Sequence, residues 1–188
     1  NRAHGDWAPV RERSPGAPED LATLCEALLA LDPAERPGAR EVLERLIAKS
    51  DVVIENYRAG VMNRLGLGWS TLRTINPRLV YASISGYGAD GPWVDRRAYA
   101  SVIGAESGMT RMQGESRGGS FANDPWSHAD VYTALETSSA VLAALFQRER
   151  TGHGEYIDVS MAETMLYVNE HLHDALWEDR KSTRLNSS

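Results

Sequence analysis

Asp130 lies in the stretch Pro125-Trp-Ser-His-Ala-Asp-Val-Tyr-Thr-Ala-Leu, in the first turn of the longest helical pattern in the chain. A carboxylate there meets the positive end of the helix dipole and backbone N–H groups that have no partner inside the helix. Such a setting suits a nucleophile better than a general acid, and Asp130 is therefore a candidate catalytic nucleophile. The same residues also carry a plainer meaning. Ser127-His-Ala-Asp130 fits a capping box, in which an acid three places after a Ser only closes the helix start. Asp130 taken alone does not decide between the two.

The helix that would hold Asp130 is marked by Val131, Leu135, Ser138, Leu142, Leu145 and Phe146, a period-3.6 face that reaches to about Arg150 and is expected to be buried. Before it, residues 1 to about 20 lack periodicity and read as irregular. Leu21, Leu24, Cys25, Leu28 and Leu29 predict a helix over 20–31, ended by Pro33. Val42, Leu43, Leu46 and Ile47 predict a second helix, opened by Pro37 and Gly38 and ending near Ser50.

Residues 51–55 then read as a short buried strand, and Asn56-Tyr-Arg-Ala-Gly60 as the loop leaving its carboxyl end. Short helices are expected over 61–65 and 70–74, strands over 79–85 and 155–159, and a helix from about Tyr99 to Gly108. Residues 109–124 read as a polar, Gly-rich loop, and Thr151-Gly-His-Gly154 as a turn. Ser160-Met-Ala-Glu163 is a further capping box opening a helix. Alternating helix and strand predicts a parallel sheet, whose ligands bind beyond the carboxyl ends of its strands, so the loop at 56–60 is a candidate site on architecture alone.

Two tempting motifs fail on context. Gly86-Tyr-Gly-Ala-Asp-Gly91 matches a dinucleotide fingerprint formally, but Pro92-Trp-Val-Asp follows where a helix should open to receive a pyrophosphate. It is expected to be a turning loop, and a dehydrogenase is correspondingly disfavoured. His171 and His173, near Glu170 and Asp174, point in different directions on a helix, so no metal site is expected.

With 188 residues, 42% of them hydrophobic and 24% charged, the chain can form one sizeable core. A formal net charge of -6 argues against nucleic acid or an anionic membrane as its main partner, so any anion it binds must meet local positive charge. The single Cys25 cannot close an internal disulfide, and no apolar run approaches the length of a membrane span. A reducing, cytoplasmic setting is expected. The last ten residues, 179–188, read as the in-frame translation of a common sequencing adapter, and the chain is expected to be a fragment.

Three longer stretches tie these features together. They are Ser50-Asp-Val-Val-Ile-Glu-Asn-Tyr-Arg-Ala-Gly-Val-Met-Asn-Arg-Leu-Gly-Leu-Gly68, then Asn76-Pro-Arg-Leu-Val-Tyr-Ala-Ser-Ile-Ser-Gly-Tyr-Gly88 with Gly91-Pro92, and Leu142-Ala-Ala-Leu-Phe-Gln-Arg-Glu-Arg-Thr-Gly-His-Gly154. In this order they resemble the family III CoA-transferases, the group of formyl-CoA transferase, carnitine CoA-transferase and, as a divergent branch, alpha-methylacyl-CoA racemase. The resemblance runs from about Leu31 to His171. It implies an α/β fold, a fragment of the family's Rossmann-like large domain with a parallel sheet flanked by helices. It divides the chain into an irregular segment 1–30, the large-domain fragment 31–178 and the adapter-like tail 179–188.

The resemblance also implies roles. Asp130 falls on the family's catalytic aspartate, which moves CoA between carboxylic acids through a mixed anhydride and an aspartyl-CoA thioester. Family contacts to CoA fall on Asn56, Tyr57, Arg58 and Arg64, and on Arg97, Ala98, Tyr99 and Ala100. Guanidinium forks suit phosphates, and tyrosine faces suit adenine or the pantetheine arm. Acyl-CoA and an acceptor carboxylic acid are the implied partners, coenzyme A being a substrate. No permanently bound cofactor and no metal is implied. The full-length protein is expected to form interlocked homodimers, and the fragment alone to be inactive. The racemase branch needs a His-Asp pair where this chain has Tyr99-Ala100, and an Arg where it has Ser83, which favours a transferase over a 2-methylacyl-CoA racemase. A non-catalytic CoA-binding module remains the reading from another class.

Overall fold

The computed structural model describes residues 12, 14–16, 18–28, 38–119, 121 and 126–169. The chain divides into two compact units, Asn1–Ser50 and Asp51–Ser188. In the first, helix α1 spans Glu19–Leu28 and helix α2 spans Ala39–Ile47. Both stand where apolar spacing places them, although the expected stripe of α2 is only partly buried: Ile47 is covered, whereas Leu43 and Leu46 are exposed. Glu41 in its first turn and Arg45 in its last complement the helix dipole. Leu29, Pro33 and Pro37 lie outside the described residues.

The second unit is a parallel sheet with helices. Strands β1 (Val52–Glu55), β2 (Val80–Ser85) and β3 (Tyr156–Ser160) pair in the order β1-β2-β3, with Val52 opposite Val80 and Tyr81 opposite Tyr156. The short helices α3 (Val61–Arg64) and α4 (Trp69–Ile75) fill the β1–β2 crossover. Between β2 and β3 come α5 (Ala100–Glu106), α6 (Met109–Ser116) and the long α7 (His128–Thr151), and α8 (Met161–Val168) follows β3. The parallel α/β class read from the sequence is the observed one. Ser160 accepts a hydrogen bond from the Glu163 N–H at 3.3 Å, so the serine half of the expected capping box opens α8. The tract with His171 and His173 lies outside the described residues.

The central strand β2 alternates its two faces. Val80 and Ala82 meet Val141 and Ala144 of α7, with Val52, Leu145 and Ile157 beside them. Fully burying a side chain such as Val80 contributes about 1.5–3 kcal/mol. On the other face Tyr81 packs against Trp69 and Tyr156, with ring centroids 6.3 and 5.7 Å away. Strand β1 corrects an expectation. It is not a buried strand but an edge of this three-stranded sheet: Val52, Val53 and Glu55 are half-buried, and Ile54 is 59% exposed.

Helix α7 corrects a second expectation, for the face it buries is not the one its large apolar residues mark. Ala129, Thr133, Thr137, Val141, Ala144 and Arg148 are buried, whereas Val131, Leu135, Leu142 and Phe146 are 48 to 67% exposed. Small residues let the helix approach the sheet closely, and the hydroxyls of Thr133 and Thr137 find partners within the helix. They donate to the carbonyls of Ala129 and Thr133 at 2.6 and 2.7 Å. Of the predicted face, Leu145 alone packs into the sheet core.

The segment expected as a loop over 109–124 holds a third correction, since α6 occupies its first half. Gly108 adopts φ 79, a left-handed conformation open to glycine, and thereby separates α5 from α6. Met109 then joins the cluster of Ile103, Ala129 and Met165, while Arg111 and Glu115 pair at 2.8 Å on the exposed side.

Because α7 runs antiparallel to the strands, its two ends meet opposite ends of the sheet. At the amino end Arg148, 8% exposed, donates to Asp51 Oδ1 at 2.8 Å and to the carbonyl of Arg78 at 3.1 Å. One buried side chain thus ties the starts of β1 and β2 to the helix. Arg148→Met is expected to lower stability by about 2 kcal/mol, because the Arg78 carbonyl loses its donor while the exposed Asp51 rehydrates. Urea denaturation with an unchanged m-value checks this.

Candidate active site

At the carboxyl ends of the strands the chain encloses a cavity of about 620 Å³, a size typical of small-molecule sites. Each wall follows from topology. The loop after β1 supplies Asn56, Tyr57 and Arg58, the loop after β2 supplies Gly86 and Arg97 to Ala100, and the first turns of α7 supply Asp130, Thr133 and Ala134. Met161, the first residue of α8, closes the side under β3. Eight of the nine sequence-predicted site residues therefore face one space: Asp130, Asn56, Tyr57, Arg58, Arg97, Ala98, Tyr99 and Ala100. Arg64 does not. It ends the four-residue helix α3 on an exposed face, where its Nη1 lies 3.3 Å from the position a Cβ on Gly60 would take.

Asp130 is exposed to the cavity. The capping box does not form, because Ser127 at the N-cap makes no side-chain capping bond and adopts φ 49, ψ 47. A non-glycine residue in this left-handed region costs roughly 1–2 kcal/mol. The Asp130 N–H instead donates to the Ser127 carbonyl at 2.9 Å, and among the described residues no hydrogen bond or ion pair engages the Asp130 carboxylate. The carboxylate is thus left free for a ligand, at a helix N-terminus with its fixed positive end.

Two adjacent arginines in the wall differ. Arg96 donates to Glu106 Oε1 at 2.7 Å and lies over the Trp93 ring, 4.7 Å from its centroid. Tyr87, whose hydroxyl donates to Glu106 Oε2, completes the cluster, and burial together with that bond pushes its phenol pKa up. Arg96 is thereby committed to holding the loop. Arg97 and Arg58 have no ion pair among the described residues, so they are the cations free to meet an anion. The glycine tract 86–91 is a turning loop with no helix before Ala100, as its context predicts.

A smaller cavity of about 260 Å³ adjoins the first, sharing Ala59 and Ser85 with it. Trp69, Tyr81 and Tyr156 form its aromatic wall and Glu55 its acid. Burial first, and then Glu55, hold the Tyr81 phenol pKa far above its usual range, and burial also raises Tyr156. Both phenols act as neutral hydrogen-bonding groups. Among the described residues no His, Cys, Asp and Glu cluster could hold a metal ion.

Several cavity residues escaped the sequence reading: Gly86, Arg96, Thr133, Ala134 and Met161. Thr133 and Ala134 carried a usable signal, since they stand three and four places after Asp130 on one helix face. Met161 needed the sheet order, which places the end of β3 beside that of β2.

At the carboxyl edge of a parallel α/β sheet, the larger cavity thus brings together a helix-borne carboxylate and two guanidinium groups that have no partner among the described residues. The chain belongs to CoA-transferase family III, which it matches over residues 26–188. It is 37% identical over 147 residues to the succinyl-CoA–L-malate CoA-transferase beta subunit of Chloroflexus aurantiacus, covering 78% of this chain and 36% of that one. It is 41% identical over 127 residues to the formyl-CoA:oxalate CoA-transferase of Streptomyces avermitilis, covering 68% and 31%. A solved CaiB/BaiF family protein from Brucella suis superposes with a TM-score of 0.66 at 36% identity, over 70% of this chain and 35% of that one. The chain spans about a third of the length of the curated relatives it matches.

Proposed function

We propose that the full-length protein is an acyl-CoA:carboxylate CoA-transferase with Asp130 as its nucleophile. The observation that carries this reading is the unengaged carboxylate of Asp130 sharing one cavity with Arg58 and Arg97. The Asp130 carboxylate attacks the thioester carbonyl of the donor, CoA thiolate leaves, and an acyl-aspartyl anhydride forms. The thiolate then attacks the aspartyl carbonyl of that anhydride, releasing the donor acid and leaving an aspartyl-CoA thioester. The acceptor carboxylate repeats the two steps in reverse, which returns the aspartate. Arg58 and Arg97 bind phosphates of CoA, and Tyr57 and Tyr99, both exposed, offer ring faces to its adenine or pantetheine arm. Arg64 is placed outside this cavity, so its contact to CoA would lie along an arm of the ligand beyond it.

The racemase reading finds less support. Tyr99-Ala100 line the cavity where that chemistry needs a His-Asp pair, and Ser83 donates to Glu55 rather than presenting a cation. Names among the relatives pair succinyl-CoA with malate and formyl-CoA with oxalate, so the choice of acids varies within the family. We further infer that the protein works in the cytoplasm as an interlocked homodimer, for which the exposed apolar stripe of α7 offers a face to be covered.

The test is mass spectrometry of the full-length protein after incubation with a panel of acyl-CoAs and hydroxylamine. A hydroxamate on the peptide bearing Asp130 is the expected result. A folded, CoA-binding protein with no adduct would move the assignment to the racemase or to the non-catalytic module.

A further inference from the structure

We infer that Glu55 is a positioning residue that fixes the loop bearing Asn56, Tyr57 and Arg58 in its ligand-binding shape. This inference rests on the reading of that loop as part of the CoA site. Glu55 ends β1 and stands opposite Ser83 of β2 in the parallel register. Each of its two oxygens holds a partner, and the Tyr81 phenol hydrogen-bonds to the carboxylate as well. Oε1 accepts from the Ser83 hydroxyl at 2.5 Å, and Oε2 accepts from the Tyr57 N–H at 2.8 Å. The first bond anchors the carboxylate to the central strand, and the second holds the backbone of the loop to the carboxylate.

Three features make this more than a surface contact. Glu55 is half-buried and has no cationic partner among the described residues, so neutral donors must satisfy it. Tyr81 and Tyr156 stand beside it in the wall of the smaller cavity, and that cavity meets the larger one at Ala59 and Ser85, next to the loop. Finally, the residue after the bonded N–H is Arg58, one of the two unpaired cations facing the larger cavity. A carboxylate can accept from both donors at once. A glutamine of the same shape keeps the Tyr57 bond only as a neutral one, with its amide nitrogen turned to donate to the Ser83 hydroxyl, so both contacts lose their charge assistance.

Glu55→Gln in the full-length protein is therefore expected to raise KM for acyl-CoA about tenfold while kcat changes less than about threefold, the pattern of displaced ligand contacts with the nucleophile intact. Exchange of the Tyr57 amide proton should quicken, and Tm should stay within about 2 °C. Ser83→Ala, which removes the anchor and leaves the acid, should raise KM about threefold and carries the test if Glu55→Gln fails to fold. In an Arg58→Ala background, Glu55→Gln should cost less than twofold further, since its effect passes through the loop. An unchanged KM in both Glu55→Gln and Ser83→Ala, or a loss that adds fully to that of Arg58→Ala, would overturn the inference. If Arg58→Ala itself leaves KM unchanged, the reading of the loop as a CoA site fails, and the inference fails with it.

Discussion

Replacing Asp130 by Asn in the full-length protein should lower kcat for CoA transfer by at least about 10³-fold, the scale on which losing a covalent nucleophile acts. Affinity for acyl-CoA should change less than about threefold, and stability should fall by no more than about 1 kcal/mol. The separation follows from the geometry of the first turn of α7. The Asp130 side chain is exposed and holds no hydrogen bond or ion pair among the described residues, so the fold loses only its interaction with the helix dipole, about 0.3–1 kcal/mol, when its charge goes. Had Ser127 and Asp130 formed a capping box, the same substitution would have weakened the helix start by roughly 0.5–2 kcal/mol. Ser127 instead makes no side-chain cap and sits at φ 49, with its carbonyl receiving the Asp130 N–H. Denaturation and steady-state kinetics on one protein preparation thus distinguish the two meanings of this aspartate. A large fall in kcat with little change in Tm supports the nucleophile, and a fall in Tm with little change in kcat supports the cap.

The order of elements was legible because it depends on local signals: β-branched runs at 51–55 and 79–85, caps such as Ser160, and apolar spacing in the helices. Which face of α7 is inside was not. Hydrophobicity points to Val131, Leu135, Leu142 and Phe146, but the sheet accepts Ala129, Thr133, Thr137 and Ala144 because close approach depends on size rather than apolarity. A threonine that bonds its own helix reads as polar in sequence and behaves as a small core residue in the fold. The same limit hid α6, whose Gly114 and charges read as loop although Met109 anchors it to the cluster around Ile103. The lining of the larger cavity was more legible than the core. Its residues gather at strand ends, where the parallel topology brings loops together whatever their composition, and eight of the nine predicted residues share one cavity. Arg64 is the exception, because on the short helix α3 its direction depends on one turn of backbone that no periodicity fixes.

That dependence of the site on loop backbone yields the last and most specific expectation, at Gly86. A Cβ added there would lie 2.1 Å from the Cβ of Ala98, far inside contact distance, and both residues line the larger cavity. The loop cannot yield easily from the other side. Arg96 is fixed to Glu106, Ala89 N–H donates to Asp158 Oδ2 at 2.9 Å, and the Gly86 carbonyl accepts from the Ala162 N–H at 3.0 Å. Gly86→Ala must therefore displace residues 97–99, and with them Arg97 and Tyr99, at an overpacking cost of about 1–3 kcal/mol. If that strain is relieved by moving the loop, affinity for acyl-CoA should fall by about 10- to 100-fold. The remedy is written in the same geometry. Once the Ala98 methyl is gone, the nearest atoms to the new Cβ are the Ala98 Cα and N at 3.5 and 3.9 Å, which is ordinary contact. Ala98→Gly should thus restore most of the affinity lost in Gly86→Ala, while changing little by itself. A double-mutant cycle on acyl-CoA binding measures this directly. A coupling energy near zero would mean that the glycine serves backbone freedom rather than the approach of these two loops.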